Sequence, residues 1–219
     1  NDFTNIELRR AELKKSNQEI DYFTFGKTSK LSLGSRKKVS DIAKRGISSK
    51  KKSELFYRII RKYNYNVVLE LGTSLGINTC YLAEAVEDGR VITIEGHPSL
   101  ADIAEKTFSQ LGFGNIQLIR ENIDETLAYS ISGFNKLDFA FIDANHQSQA
   151  LFNYFNTLLP KMSSQGAMAI DDIRWSRDMF NGWQMIIKNP RISHVFDLGD
   201  FGILFFKDAS SAQYFVLHF

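Results

Sequence analysis

Cysteine is almost absent: Cys80 is the only one among 219 residues. That excludes a disulfide framework and points to a reducing compartment. Cys80 itself lies where a helix should run and reads as a small buried apolar residue. No apolar run reaches membrane-spanning length, and the N-terminus lacks the charged-then-apolar pattern of a signal peptide. A soluble, cytoplasmic protein without a membrane partner is the expectation. There are three prolines, no internal repeat and no low-complexity tract. With 43% hydrophobic residues the chain can bury a sizeable core. One α/β domain with an appendage fits this length, and two full domains would be cramped.

A strong net charge is missing too, but the total of +2 hides an asymmetry. Residues 1–53 hold 14 Lys/Arg against 6 Asp/Glu, and residues 54–219 hold 13 against 19. Basic runs such as Arg36-Lys37-Lys38 and Lys50-Lys51-Lys52 attract acidic partners in principle. No aromatic-interleaved or groove-reading motif accompanies them, so a solvated helical surface is the better reading and nucleic acid is not an expected partner.

From residue 66 onward, short β-branched or aromatic runs alternate with helix-like stretches, as in a parallel sheet wrapped by helices. Strands are expected near 66–71, 91–95, 116–120, 137–142 and 166–171. The runs HVFDLGD and FGILFFKD are too closely linked for a helical crossover, so they should pair antiparallel. Residues 212–219 either add a short strand or pack on the surface. Residues 1–65 contain no comparable strand run and read as a basic helical cap preceding a domain at 66–219. Within the cap, Ser53 is an expected N-cap ahead of Leu55, Phe56, Ile59 and Ile60. Tyr22 to Ser35 reads as a loop or lid.

The segment Val67 to Thr79 (VVLELGTSLGINT) is the most informative. A glycine-rich strand-to-helix turn normally offers amides and a positive helix end to a phosphate. Glu70, on the strand, opposes an anion and suits a cation. S-adenosylmethionine, with a positive ammonium and sulfonium, fits such an acid beside the turn. Two rivals share the string. Gly72-Thr73-Ser74-Leu75-Gly76 satisfies G-x-S-x-G, with Ser74 as nucleophile of an α/β-hydrolase, but that elbow should follow several earlier strands. A dinucleotide turn would need glycines where Ser74 and Ile77 stand. Glu95 closes the next strand 19 residues after Gly76, where an acid takes ribose hydroxyls. Gly96 and His97 then form the turn beside the adenine.

LELGTSLGINTCYLA, TIEGHP, LDFAFIDANH and AIDDIRWS occur in that order. Together they resemble class I S-adenosylmethionine-dependent methyltransferases, closest to the small bacterial O-methyltransferase-like group, over roughly residues 35–207. The middle glycine of the commoner E-x-G-x-G-x-G form is replaced by Ser74. The resemblance implies a doubly wound, seven-stranded, mostly parallel sheet with an antiparallel C-terminal strand and N-terminal helices. It places Glu70, Gly72, Thr73, Ser74 and Gly76 around the methionine part of the cofactor and Glu95 on the ribose. Asn122 either faces the adenine or caps the helix in NIDETL. Asp143 falls near the methionine portion.

Methyl transfer from a sulfonium is an in-line displacement, so the protein must align the acceptor and remove its proton. In catechol-type relatives a divalent ion held by acids after the fourth and fifth strands does part of this work. Asp143, Asp171 and Asp172 stand at those places and would hold Mg²⁺ or another divalent cation; the alternative gives Asp171 and Asp172 to helix capping. His146 sits where catechol-type enzymes carry a lysine base, which makes it the candidate catalytic base beside Asp143. Trp175, Met179 and Trp183 are at helical spacing, with Trp183 expected in the core and Trp175 nearer the acceptor. His194 and His218 receive no role. The expected activity is O-methylation of a small-molecule hydroxyl. Metal-independent methylation of an amine or carbohydrate, and noncatalytic cofactor binding, are the alternatives. The N-terminal helices would cover the acceptor pocket or support a homodimer.

Overall fold

The computed structural model describes residues 2–23, 35–207 and 212–219. Helix α1 (Thr4–Lys15) leads to strands β1 (Glu19–Tyr22) and β2 (Ser35–Lys38), then to helices α2 (Val39–Arg45) and α3 (Lys50–Tyr63). Strands and helices then alternate: β3 (Val67–Leu71), α4 (Ile77–Ala85), β4 (Arg90–Ile94), α5 (Pro98–Leu111), β5 (Ile116–Ile119) and α6 (Ile123–Ser130). The alternation continues with β6 (Leu137–Ile142), α7 (Ser148–Leu158), β7 (Met162–Ile170) and α8 (Arg177–Ile186). Strands β8 (Ile192–Asp197), β9 (Gly202–Phe206) and β10 (Gln213–Val216) follow. Among the described residues the sheet is mostly parallel and has eight strands, in the order β10-β8-β9-β7-β6-β3-β4-β5. The eighth, beyond the seven expected, is β10, which pairs parallel to β8. As expected, β9 is antiparallel to β8, and also to β7.

The chain forms two compact units, Asn1–Asn66 with Gly72–Asn122, and Val67–Leu71 with Ile123–Phe219. In the first, the N-terminal segment joins the core: Ile6, Leu13, Ile20, Val39 and Ile42 pack with Leu75, Cys80, Tyr81 and Phe108. Buried Cys80 is thus the apolar residue its position implied. Helix α1 buries Ile6, Arg10 and Leu13 on one stripe. Arg10 is tolerated there because its Nε donates to Glu7 at 2.8 Å and its guanidinium donates to the Ser48 carbonyl at 2.6 Å.

Two expectations for this region are corrected. The N-cap of α3 is Ser49, whose hydroxyl accepts the Lys52 N–H at 3.2 Å. Ser53 lies inside the helix, where it joins Phe56, Tyr57 and Ile60 on the buried face and donates to Asn78 Oδ1 at 2.8 Å. The helices are also accompanied by an antiparallel hairpin, β1 with β2, registered from Glu19 opposite Lys38 to Tyr22 opposite Ser35. Its charges alternate and face solvent, so Arg36 near Glu19 and Asp21 at 3.7 and 3.8 Å adds little stability. Of the expected lid, residues 24–34 lie outside the described residues.

In the second unit, β3 is almost wholly buried and β6 (LDFAFI) entirely so, as parallel strands covered on both faces must be. Trp183 of α8 is fully buried in the core role expected of it, and Met179 lies in the same interior. Strand β10 is tied to β8 through Asp197, which accepts the Tyr214 hydroxyl at 2.8 Å and a bidentate Arg174 pair at 2.7 Å each.

Candidate active site

In the first unit, the turn between β3 and α4 is built from left-handed residues: Gly72 at φ 97°, Ser74 at φ 51° and Gly76 at φ 80°. The Gly72 amide bonds the Ile94 carbonyl at 3.0 Å, fastening the turn to the end of β4. Thr73 and Thr93 share a hydroxyl hydrogen bond of 2.6 Å beneath it. Glu95, one residue past β4, is buried against this turn. Its Oε2 accepts the Ser74 N–H at 2.8 Å and its Oε1 accepts the His97 N–H at 2.9 Å. Burial pushes the Glu95 pKa up, opposed by backbone N–H groups of His97, Ser74, Gly96 and Thr73. The carboxylate is therefore oriented by amides before any ligand arrives.

The Ser74 hydroxyl donates to the Gly46 carbonyl at 3.0 Å, so it is engaged by backbone rather than by an imidazole base. His97 is not exposed: it is 2% accessible, stacks on Phe23 with centroids 4.4 Å apart and on Tyr22 at 5.4 Å, and accepts the Phe23 N–H through Nε2 at 3.4 Å. Burial lowers its pKa, so the ring is neutral near pH 7. Gly96 and Asn122 are half-buried, and Asn122 directly precedes α6. The cavity of about 1000 Å³ beside α1 and α3, with Phe3, Leu8, Tyr57 and Arg58 in its wall, contains none of these residues.

In the second unit, Glu70 is fully buried on β3, in register with Phe141 of β6. Leu71 is level with Ile142, and Ile142 with Ile170, so the acids that follow emerge at one end of the sheet. The Asp143 amide bonds the Leu71 carbonyl and the Asp171 amide bonds the Ile142 carbonyl, each at 2.9 Å. Beyond this point the two adjacent aspartates part. Asp171 is buried and accepts the Asp172 N–H at 3.0 Å. Asp172, at φ 53°, turns the other way.

The cluster that results is Asp143, His146 and Asp172, each offering one ligand atom, all within 4.8 Å of one another. Asp171, expected among the metal ligands, is not in it. His146 Nδ1 lies 3.4 Å from Asp172 Oδ2, and the imidazole tilts against Trp175 with centroids 5.5 Å apart. Trp175 is 68% accessible and stands beside His146 as its place in the sequence suggested, whereas Met179 is core. Two carboxylates and an imidazole, all half-buried, are a donor set a divalent cation accepts. They equally suit proton transfer by an imidazole that a carboxylate orients. Asn145, Asp124 and Tyr154 support this loop and carried no signal beyond Asn145 being a residue type that tolerates positive φ.

Residues 69–173 match a family described as a methyltransferase domain. A protein-L-isoaspartate O-methyltransferase from Methanococcus aeolicus is 46% identical over 56 residues, 25% of this chain and 26% of that protein. A catechol O-methyltransferase from Niastella koreensis is 32% identical over 108 residues, 48% of each chain. These matches span between about a quarter and a half of the relatives' length. Among solved structures, the S-adenosylhomocysteine-bound methyltransferase PaMTH1 of Podospora anserina superposes with a TM-score of 0.70 at 16% identity, covering 94% of this chain and 88% of that one. That likeness establishes a shared fold. Among the described residues no helix is long and apolar enough to cross a membrane.

Proposed function

We propose that this chain, a class I S-adenosylmethionine-dependent O-methyltransferase-like protein by sequence and fold, transfers a methyl group from S-adenosylmethionine to a hydroxyl of a small molecule. The observation that carries the reading is the meeting of His146 with Asp143 and Asp172 at the strand ends. When bound, the donor supplies a methyl group already activated by its sulfonium. The protein has then to align the acceptor and accept one proton. We assign uptake of the acceptor hydroxyl's proton to His146 Nε2, because Asp172 Oδ2 lies 3.4 Å from Nδ1 on the other side of the ring. Donor binding is read from the turn of the first unit: Glu95 takes the ribose hydroxyls and Gly72, Thr73, Ser74 and Gly76 the methionine part. Gly96, His97 and Asn122 border the adenine. The lone, buried Cys80 supports a reducing, cytoplasmic setting.

A second reading is favoured by the 4.8 Å grouping itself. Asp143, Asp172 and His146 would hold a divalent cation, which when bound supplies Lewis acidity toward the acceptor hydroxyl. Loss of transfer on chelation, restored by Mg²⁺ or Mn²⁺, selects this reading over the metal-free base. Calorimetry with S-adenosylmethionine and with NAD tests the donor assignment: binding of the first alone is expected, and binding of NAD alone overturns it.

A further inference from the structure

The loop that carries Asp143 and His146 is held from outside the site by groups that touch none of the reacting atoms. Asn145, between them, adopts a left-handed conformation at φ 41°, which asparagine holds more readily than most residues. Its Nδ2 donates to Asp124 Oδ2 at 2.8 Å, in the first turn of α6. The other oxygen of Asp124 accepts a short hydrogen bond from the Tyr154 hydroxyl of α7. Tyr154 is buried, and burial, followed by its bond to Asp124, pushes the phenol pKa up, so it remains a donor at neutral pH. On the far side of His146, the Gln147 N–H donates to the Asn145 carbonyl at 2.5 Å, closing a tight turn. Ser148 is then anchored to Asp178 through its amide at 2.8 Å and its hydroxyl at 2.7 Å.

We propose that Tyr154 is a positioning residue acting through Asp124 and Asn145, and that this brace sets the turn at which His146 meets Asp172. Its catalytic consequence rests on the function proposed above; its structural part does not. The brace has a specific geometric logic. A carboxylate at residue 124 accepts from two donors at once, one on α7 and one on the loop, so the helix fixes the carboxylate and the carboxylate fixes the amide. A cavity of about 340 Å³ lined by Asp124, Asn145, Gln147, Asn153 and Tyr154 flanks it. Water can therefore rehydrate Asp124 when the phenol oxygen is removed, and Tyr154→Phe should fold.

The test compares wild type, Tyr154→Phe, Asn145→Gly and the double variant. It reads amide exchange at Gln147, the His146 imidazole resonances, and methylation of protocatechuate as an acceptor probe. Losing a hydrogen bond to a charged group should speed Gln147 exchange about tenfold and lower kcat by about as much, with the KM for S-adenosylmethionine unchanged. The imidazole resonances should shift in Tyr154→Phe, and the double variant should be no worse than the more damaged single one. Exchange at Gln147 that stays at the wild-type rate overturns the brace. So does an equal loosening at Ser74 and His97, which would mark a global effect. If wild type does not methylate the probe, the amide and imidazole signals alone judge the brace, and their response supports it independently of the reaction.

Discussion

Replacing Gly76 with alanine separates two costs that the turn before α4 imposes. The residue sits at φ 80°, where a Cβ costs about 1–2 kcal/mol against the following carbonyl. A Cβ there would also lie 2.6 and 3.0 Å from the ring edge of Phe108 and 3.2 Å from the Ala104 backbone. Phe108 is itself core, so its ring cannot swing into solvent. Overpacking at such a position costs about 1–3 kcal/mol. Gly76→Ala should therefore lose about 2–5 kcal/mol in all, a fall in Tm of roughly 4–20 °C for a chain of this size. Gly112 is the internal control: it has φ 76°, and a Cβ there meets nothing within 4 Å. Gly112→Ala should lose only the conformational part, about 1–2 kcal/mol. Urea denaturation of both variants gives the two values, and their difference isolates the steric conflict with Phe108. Equal losses in the two variants would refute the packing argument. A Gly76→Ala protein as stable as wild type would refute the strain argument as well.

His146→Ala should cut methyl transfer by roughly 10²–10⁴-fold while donor affinity, measured by calorimetry, stays within about twofold; unchanged turnover removes His146 from the chemistry. Glu95 predicts a pH effect on the ligand-free protein. Its folded pKa is raised above the usual 4.5, so the unfolded state binds fewer protons between 4.5 and that raised value. Stability should then fall as pH rises through this window, with the penalty absent below 4.5 and complete above the folded pKa. Urea unfolding of wild type and Glu95→Gln across pH 4–8 measures it, and an identical pH slope in the two proteins contradicts the assignment.

The parts of the fold written in predominantly apolar runs, each broken by a single acid, were legible. VVLEL and LDFAFI bury almost every side chain, as central parallel strands covered on both faces do. The hairpin of β1 and β2 was not, because EIDY and SRKK are four residues each and mostly charged; their pairing depends on register across a gap, and the apolar face of EIDY is only Ile20 and Tyr22 while SRKK has none. At α3 the string Ser48-Ser49-Lys50-Lys51-Lys52-Ser53 offers several caps. The choice of Ser49 follows from tertiary burial of Ser53, since a helix starting after Ser53 would forfeit the Asn78 bond.

At the candidate site the same division recurs within a single pair of residues. That acids follow β6 and β7 is evident from the sequence, but which of Asp171 and Asp172 faces His146 depends on one torsion. The left-handed φ of Asp172 sends its carboxylate to the imidazole while Asp171 stays buried beneath, accepting its neighbour's amide. No residue type at 171 or 172 encodes that choice. The backbone on either side of Asp172 is held by the Ile173 N–H on the Asp200 carbonyl and the Trp175 N–H on the Asp172 carbonyl, each at 2.9 Å, and on the facing loop Asn145 is held by Asp124, 21 residues away. A site whose ligating atoms are set by left-handed residues and braced over such separations is visible in sequence as a set of candidates, and its membership is decided only when the loops are packed.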